Sequence, residues 1–396
     1  MEDALLAFIN GANTSIDVAL YGLNRQSIVD ALVAAHGRGV TVRVVGDDEA
    51  ATGDYSSSYQ ALTNAGITVI TDTSSSKIQH NKFLVIDGEV VWTGSTNFTD
   101  TGLTLNANNG IVITDTTLAG VYTAEFEEMW AGNFHEAKAD NTLHVLDYDG
   151  TFLESYFSPT DLVAFEVWDE LADADETIHF AMFFWTDDLL TDRVVERLGE
   201  GVEVYGVWDQ LGAANPSSAD EALTAAGGQI KIEDFAGKVH HKFAVIDVEG
   251  SDPTVILGSY NWTDSGAYDN DENTLIIHDL DLARAYYAEW QRLWSALGPW
   301  DVFLPLVMRI VPTPTPPPTN TPPPPTNTPP PPTNTPLPPA TTGNVVIVDI
   351  FYDGSGHQEP DEHVDIRNDD TQPIQLNGWT LRDEANHVYT LSLIHI

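Results

Sequence analysis

Two distant stretches of the chain carry the same polar residues in the same order. Gln79-His80-Asn81-Lys82-Phe83-Leu84-Val85-Ile86-Asp87 precedes Gly94-Ser95-Thr96-Asn97, and His240-His241-Lys242-Phe243-Ala244-Val245-Ile246-Asp247 precedes Gly258-Ser259-Tyr260-Asn261. Each copy reads His-x-Lys, four residues, Asp, then Gly-Ser-x-Asn. Polar residues repeated at fixed spacing restrict the chain to a duplicated unit, because apolar periodicity alone does not reproduce them.

The surroundings repeat as well. Ser15 to Tyr21, Val40 to Val45, Ile67 to Ile70, Lys82 to Ile86 and Val90 to Thr93 read as strands. Helical spacing runs from Ile28 to Gly37 and near Thr117 to Trp130. Thr177 to Phe183 answers Ser15 to Tyr21 at an offset of 162, and Glu289 to Trp294 answers Glu125 to Trp130 at 164. Four extra residues between Asp247 and Gly258 account for the drift and predict a longer hairpin. The fold class is α/β, with two halves (1–146 and 147–300) forming a pseudo-dimer.

Beyond them the composition changes. Sixteen of the 23 prolines fall within 312–340, in a near-repeat of Thr-Asn-Thr-Pro-Pro-Pro-Pro, so 301–342 is expected to be an extended polyproline linker. Residues 343–396 alternate as strands at Val345–Tyr352, Glu362–Asn368 and Ile374–Asp383 and are expected to form a small all-β domain. About 50 residues is short for a sandwich, so this tail reads as truncated. The N-terminus enters helical spacing at once, without a signal peptide, and reads as a fragment that lacks its leader.

The motif chemistry follows from strand geometry. Residues i and i+2 share a face, so His80 and Lys82 point the same way, as do His240 and Lys242. Ser95 and Asn97 are expected to share a face on the neighbouring strand. Bringing both copies together places two imidazoles, two ammonium groups and two Asn amides around one point, a pocket for a tetrahedral anion. One imidazole can attack phosphorus while the other protonates the leaving oxygen. Of six lysines, Lys77, Lys82, Lys238 and Lys242 lie within three residues of His80 or His240, a positive focus in an acidic chain. Lysines beside both histidines disfavour a metal site there. His241 and His179 read as packed structural residues, and the pairs Phe126/Trp130 and Trp290/Trp294 as core.

Residues 1 to about 300 resemble the phospholipase D superfamily, whose signature is this paired motif. The resemblance implies a metal-independent, cofactor-free, two-step phosphodiesterase acting through a covalent phosphohistidine. His80 and His240 are then nucleophile and acid/base; Lys82, Lys242, Asn97 and Asn261 bind phosphate, with Ser95 and Ser259 supporting; Asp87 and Asp247 are structural. The family also often carries a Glu downstream of the Gly-Ser pair, bonded to the motif His. Glu272 fits in the second half, while Asn108 stands at the matching place in the first. This implies a carboxylate partner for His240 and an amide for His80, leaving His80 the more readily neutral, and hence the nucleophile. The tail, through Asn377-Gly378-Trp379-Thr380-Leu381-Arg382-Asp383, resembles the lamin tail domain, an immunoglobulin-like sandwich.

Sixty acidic against 16 basic residues give a net charge of −44, which argues against a broad surface for a nucleic-acid backbone. The expected substrate is therefore a phospholipid head-group phosphodiester, with a nuclease by the same mechanism as the alternative. The reading from another class is an extracellular adhesion protein with a vestigial site. Spacer and tail together suggest an extracellular or cell-envelope location and a surface ligand for the tail. No apolar run is long enough for a transmembrane helix, and the absence of cysteine excludes disulfides and thiolate metal sites.

Overall fold

The computed structural model describes residues 1–148, 150–233 and 236–295, with strands at 306–310, 345–351, 363–368, 380–382 and 388–390. They divide into two units, Met1–Thr315 and Pro316–Ile396.

The first unit holds both motif copies. Its strands are β1 (Ser15–Leu20), β2 (Thr41–Gly46), β3 (Thr68–Thr71), β4 (Lys82–Ile86), β5 (Val90–Gly94) and β6 (Asn109–Thr114), then β7 (Val145–Tyr148) and β8 (Thr151–Ser158). The second half follows with β9 (Thr177–Met182), β10 (Glu203–Asp209), β11 (Gln229–Glu233), β12 (Lys242–Ile246), β13 (Thr254–Gly258) and β14 (Glu272–His278), and β15 (Leu306–Ile310) comes last. One sheet runs β15-β6-β5-β4-β1-β2-β3, and the other β11-β10-β9-β12-β13-β14-β8-β7. The two six-strand cores share one order, so the duplication inferred from sequence is a duplication of topology.

In each sheet the first three strands are parallel, joined by helices such as Gln26–Gly37 and Ser56–Asn64, and the motif hairpin is antiparallel to them. Lys82 pairs with Leu20 in one sheet, and Lys242 with Met182 in the other. The motif strands read as continuous apolar runs because both faces are buried. Phe83, Val85, Phe243 and Val245 enter one core that spans both halves beneath the helices Thr116–Trp130 and Leu280–Ser295. Leu84 and Ile86 face the first half's own outer core, and Ala244 and Ile246 the second's. A shared central core makes the halves one folding unit.

One boundary differs from expectation. The stretch assigned wholly to a linker, 301–342, includes β15, which adds in parallel to the edge of β6 and returns the chain to the first half. Backbone pairing with an exposed sheet edge overrides composition at that point. The remainder of the expected linker lies outside the described residues. In the second unit β16 (Val345–Phe351) pairs antiparallel with β17 (His363–Asn368), and β18 (Thr380–Arg382) with β19 (Val388–Thr390). Of the strand expected at 374–383, only 380–382 is among the described residues. None of the described helices is long and apolar enough to cross a membrane.

The motif aspartates close each half away from the histidines. Asp87 takes φ of 54° after β4, and its carboxylate accepts the backbone N–H groups of Asn13, Thr14 and Ser15 at 2.7–3.1 Å, plus the Thr14 hydroxyl. Asp247, at φ 47°, accepts those of Asp175, Glu176 and Thr177. Each carboxylate thus satisfies backbone donors left open where β1 or β9 begins. Burial works against ionisation of Asp87, but these donors hold its carboxyl below the ordinary range. The stability from Asp87 is therefore present above pH ~4 and is lost as pH falls further. Asp87→Ala is expected to cost about 1–3 kcal/mol, read as a lower urea midpoint, and to flatten stability against pH on the acid side.

Candidate active site

The motif residues meet where the two halves exchange backbone hydrogen bonds. His80 N–H donates to Asp271 O at 2.9 Å and Asp271 N–H to Ile78 O at 3.0 Å; reciprocally, His240 N–H donates to Ala107 O at 2.9 Å and Ala107 N–H to Lys238 O at 2.8 Å. Each motif histidine is thus fixed by the strand start of the opposite half. The site lies beyond the carboxyl ends of β1 and β9, where the sheet changes from parallel to antiparallel neighbours, a position that suits ligand binding in open α/β sheets.

The side-chain partners cross in the same way, and this corrects an expectation. Glu272 is bonded to His80, with Nδ1–H donating to Oε1 at 2.7 Å, and not to His240. His240 Nδ1–H instead donates to Asn108 Oδ1 at 2.9 Å and to Ser95 O at 3.1 Å. The Asn108 amide is oriented by its own bonds, Nδ2–H to Gly102 O and Oδ1 from the Ser95 hydroxyl. Glu272 opens β14, and the reciprocal docking carries that strand start to the first motif. With both Nδ1 atoms engaged as donors, both Nε2 lone pairs are free for chemistry.

Aromatic rings back each imidazole. Tyr21 packs edge-on against His80 at 5.2 Å, with Lys82 Nζ 5.8 Å from its ring. Phe183, at the equivalent position after β9, lies 4.7 Å from the His240 ring and 5.0 Å from Lys242 Nζ. Both ammonium groups also bond the carbonyl of the histidine two residues before them, Lys82 at 2.5 Å and Lys242 at 2.9 Å. The offset between the repeats was signal enough to reveal the Tyr21/Phe183 pair, which sequence reasoning missed.

The serines and asparagines sit in turns, not on a strand as expected, because β5 and β13 end at Gly94 and Gly258. A Cβ at Gly94 would stand 2.5 Å from Asn109 O, and one at Gly258 2.1 Å from Asn273 O, so the chain turns there only with glycine. Ser95 Oγ accepts Asn109 N–H and Ser259 Oγ accepts Asn273 N–H, both at 3.0 Å. Both serines are fully buried and pin the next strand rather than facing a ligand. Asn97 Oδ1 accepts Gly22 N–H, which leaves the amide hydrogens as its donors toward a ligand. Asn261 Oδ1 is buried with no partner among the described residues.

Four cationic or protonatable groups are buried together, and their acidities show it. Burial, with help from Lys82, pulls the His80 imidazolium down to about 4 against the opposing pull of Glu272. Burial pulls Lys82 down to about 7. Burial and neighbouring lysines drive His240 and Lys242 well below their ordinary ranges. A pocket that resists its own protonation is short of an anion. The wider lysine focus is partly cancelled, since Lys77 pairs with Glu136 at 2.7 Å, whereas Lys238 rests on the Phe183 ring at 4.9 Å.

Behind Glu272 lies a buried charge network that no motif announced. Asp271 accepts His135 N–H at 2.8 Å and pairs with Lys138 Nζ at 3.0 Å; Lys138 also pairs with Glu125 at 2.6 Å, and His135 with Asp72 at 3.1 Å. Burial alone would lower Lys138, but Asp271 and Glu125 raise it. Ala107 occupies the counterpart of Asp271, so the network is one-sided. His241 and His179 are buried: His241 lies 3.3 Å from both Glu289 Oε1 and Asn109 Nδ2, and His179 stacks on Tyr205.

The family profile described as "Cardiolipin synthase, PLD-like domain" matches residues 5–130 and 167–294, which is both halves and most of the chain. The chain belongs to the phospholipase D-like family. Its tail matches the Lamin Tail Domain over 338–394. Among curated relatives of the phospholipase D-like family, a mitochondrial cardiolipin hydrolase of Xenopus laevis is 38% identical over 128 residues, 32% of this chain and 59% of that protein. A phospholipase D of Rickettsia bellii is 39% identical over 122 residues, 31% of this chain and 59% of that protein. The chain thus spans less than two thirds of the length of these relatives. The crystal structure of Haemophilus influenzae phosphatidylserine synthase shares the fold across 74% of this chain and 83% of its own, with 13% identity and a TM-score of 0.54.

Any anion that restores the depressed ammonium groups must take up protons when it binds between about pH 7 and the ordinary lysine range near 10.5. Calorimetry with sulfate, which does not titrate there, is expected to show uptake of about one proton or more per ion in buffers of different ionisation heat, with affinity falling as pH rises. Asp271→Asn, which leaves buried Lys138 under-compensated, is expected to cost about 3 kcal/mol, measured by denaturant unfolding.

Proposed function

We propose that the chain is a metal-independent phosphodiesterase of the phospholipase D type that hydrolyses phospholipid head-group phosphodiesters through a phosphohistidine on His80. The observation that carries this reading is the bond between His80 Nδ1 and the buried Glu272 carboxylate, opposite a His240 whose Nδ1 meets the Asn108 amide oxygen, the Ser95 carbonyl and, at 3.4 Å, Lys242 Nζ, and no carboxylate among the described residues. Attack by His80 Nε2 on phosphorus leaves a positive imidazolium ring, and Glu272 is placed to stabilise that charge. From the sequence, the nucleophile's role falls to the histidine with an amide partner; the crossed bonds remove that premise, and the choice of His80 rests instead on the stabilisation of its charged ring by Glu272.

In the first step the Nε2–P bond forms as the P–O bond to the leaving group breaks, and His240 Nε2–H gives the leaving oxygen its proton. His240 is hard to protonate in the empty pocket, so the substrate's own anionic phosphate must bind first and draw the proton in. Lys82 and Lys242, with the Asn97 and Asn261 amides, hold the phosphoryl oxygens. In the second step His240, now neutral, takes a proton from water as it attacks phosphorus, and the Nε2–P bond breaks to return His80. Glu272 holds the ring in one tautomer throughout. Asp87, Asp247, Ser95 and Ser259 support the site through the backbone.

Phospholipid is favoured over nucleic acid because the chain carries a net charge of −44, and because the curated relatives are named for cardiolipin and phospholipid cleavage. The Pro/Thr-rich stretch and the tail support an extracellular or envelope setting, with a surface ligand for the tail, as part of the same proposal.

Activity on bis(p-nitrophenyl) phosphate, cardiolipin or phosphatidylcholine vesicles, and single-stranded DNA, all in EDTA, tests the reading. Turnover of vesicles is expected in wild type and is expected to vanish in His80→Ala and His240→Ala, with Glu272→Gln slower by about 10²-fold. Quenched digests at alkaline pH should place the phosphoryl group on His80. Label on His240, or loss of wild-type activity in EDTA, would overturn the mechanism, and preferential DNA cleavage would overturn the substrate.

A further inference from the structure

The duplication supplies an internal comparison far from the paired histidines. In the first half, Asp17 on β1 pairs in register with Arg43 on β2, and the Arg43 guanidinium lies over the stacked rings of Phe126 and Trp130, 4.8 and 5.2 Å from their centroids. Asp17 and Glu127 hold that guanidinium at 2.7 and 2.8 Å. The aromatic pair therefore already has a cation on it.

In the second half the same register positions are His179 and Tyr205, and the rings at the Phe126 and Trp130 positions are Trp290 and Trp294. The guanidinium is gone and more aromatic surface has taken its place; the cation that remains, Lys231, caps the Trp294 ring. His179 stacks on Tyr205 at 5.2 Å and stands edge-on to Trp290 at 4.5 Å and Tyr287 at 4.7 Å, while Trp290 stacks on Trp294 at 5.0 Å. These rings wall a cleft of about 690 Å³, against about 390 Å³ where Arg43 sits. Carboxylates rim it: Glu176, Glu203 and Glu249, the last also paired with Arg284. His179 Nδ1 is buried with no hydrogen-bond partner among the described residues, and burial keeps that ring neutral near pH 7. Lys231 approaches only the Trp294 end, 4.6 Å from that ring, and is tied to the Trp294 carbonyl.

We propose that this cleft is a second binding site, for a small organic cation of the alkylammonium or guanidinium class, held against the half-buried rings of Tyr205 and Tyr287, behind which Trp290 is stacked between Tyr287 and Trp294, and neutralised by Glu176 and Glu203. A delocalised or methylated cation is weakly hydrated and gains most from ring faces. An acidic chain further concentrates cations at its surface. His179 lies on β9 four residues before Phe183, which follows that strand's end, roughly 13 Å from the paired-histidine site at ~3.3 Å per residue, so the two sites are separate.

Proton NMR of tetramethylammonium and of methylguanidinium, titrated with the whole chain at constant ionic strength, tests this. Ring currents are expected to move the methyl resonances of at least one probe upfield in a saturable way. Tyr205→Arg, which puts a guanidinium at the position of Arg43 but opposite His179 and Gln291 where the first half has Asp17 and Glu127, should weaken that binding roughly tenfold or more. The double change Glu176→Gln with Glu203→Gln should weaken it as well, and decides the matter if Tyr205→Arg does not fold. No saturable shift with either probe, or shifts indifferent to these substitutions, would overturn the proposal.

Discussion

The structure depends on a reciprocal exchange of backbone hydrogen bonds between its halves. His80 and Ile78 bond to Asp271, and His240 and Lys238 bond to Ala107, so each motif is locked to the strand that opens after the other motif's Gly-Ser turn. Backbone groups buried at an interface must be paired, and here pairing one half requires the other. The central core beneath, built from both sheets and two helices, makes the same demand in apolar area. Separating the halves would open both at once.

That exchange also sets the electrostatics. It buries two imidazoles and two lysines together, a cost met only in part by Glu272, and the unmet remainder appears as depressed basicity across the pocket. The pocket is preorganised for an anion and unfavourable without one. Its two sides are unequal. The His80 side has a carboxylate partner with Asp271, His135 and Lys138 behind it, while the His240 side has an amide, a carbonyl and Lys242. A two-fold scaffold thus gives two chemically different histidines.

Much of this is legible in the sequence. The motif strand Lys82–Ile86 begins and ends as read, and its repeat Lys242–Ile246 has the same bounds relative to the motif, since a doubly buried strand must be an uninterrupted apolar run between polar markers. Asp87 and Asp247 can be set apart from the reacting groups by resemblance alone, and their backbone bonds give the reason. Ser95 and Asn97 fall off the expected strand because the Gly before them ends it through a close contact with Asn109, which period-two reading does not register. The strand β15 escapes notice because its pairing partner, β6, is an edge strand from the other end of the unit, while its own neighbours in sequence are proline-rich.

The sequence by itself determined the duplication, the first five strands of the first half and the roster of polar groups, because these depend on local spacing and on repetition. Only the tertiary structure decided who partners whom. Glu272 follows the second motif in the chain yet bonds the first motif's histidine, and Asn108 does the reverse, because the halves dock by exchanging strand starts. Spacing along a chain fixes neighbours within an element, but a partner across an interface is set by the packing that brings two distant elements together.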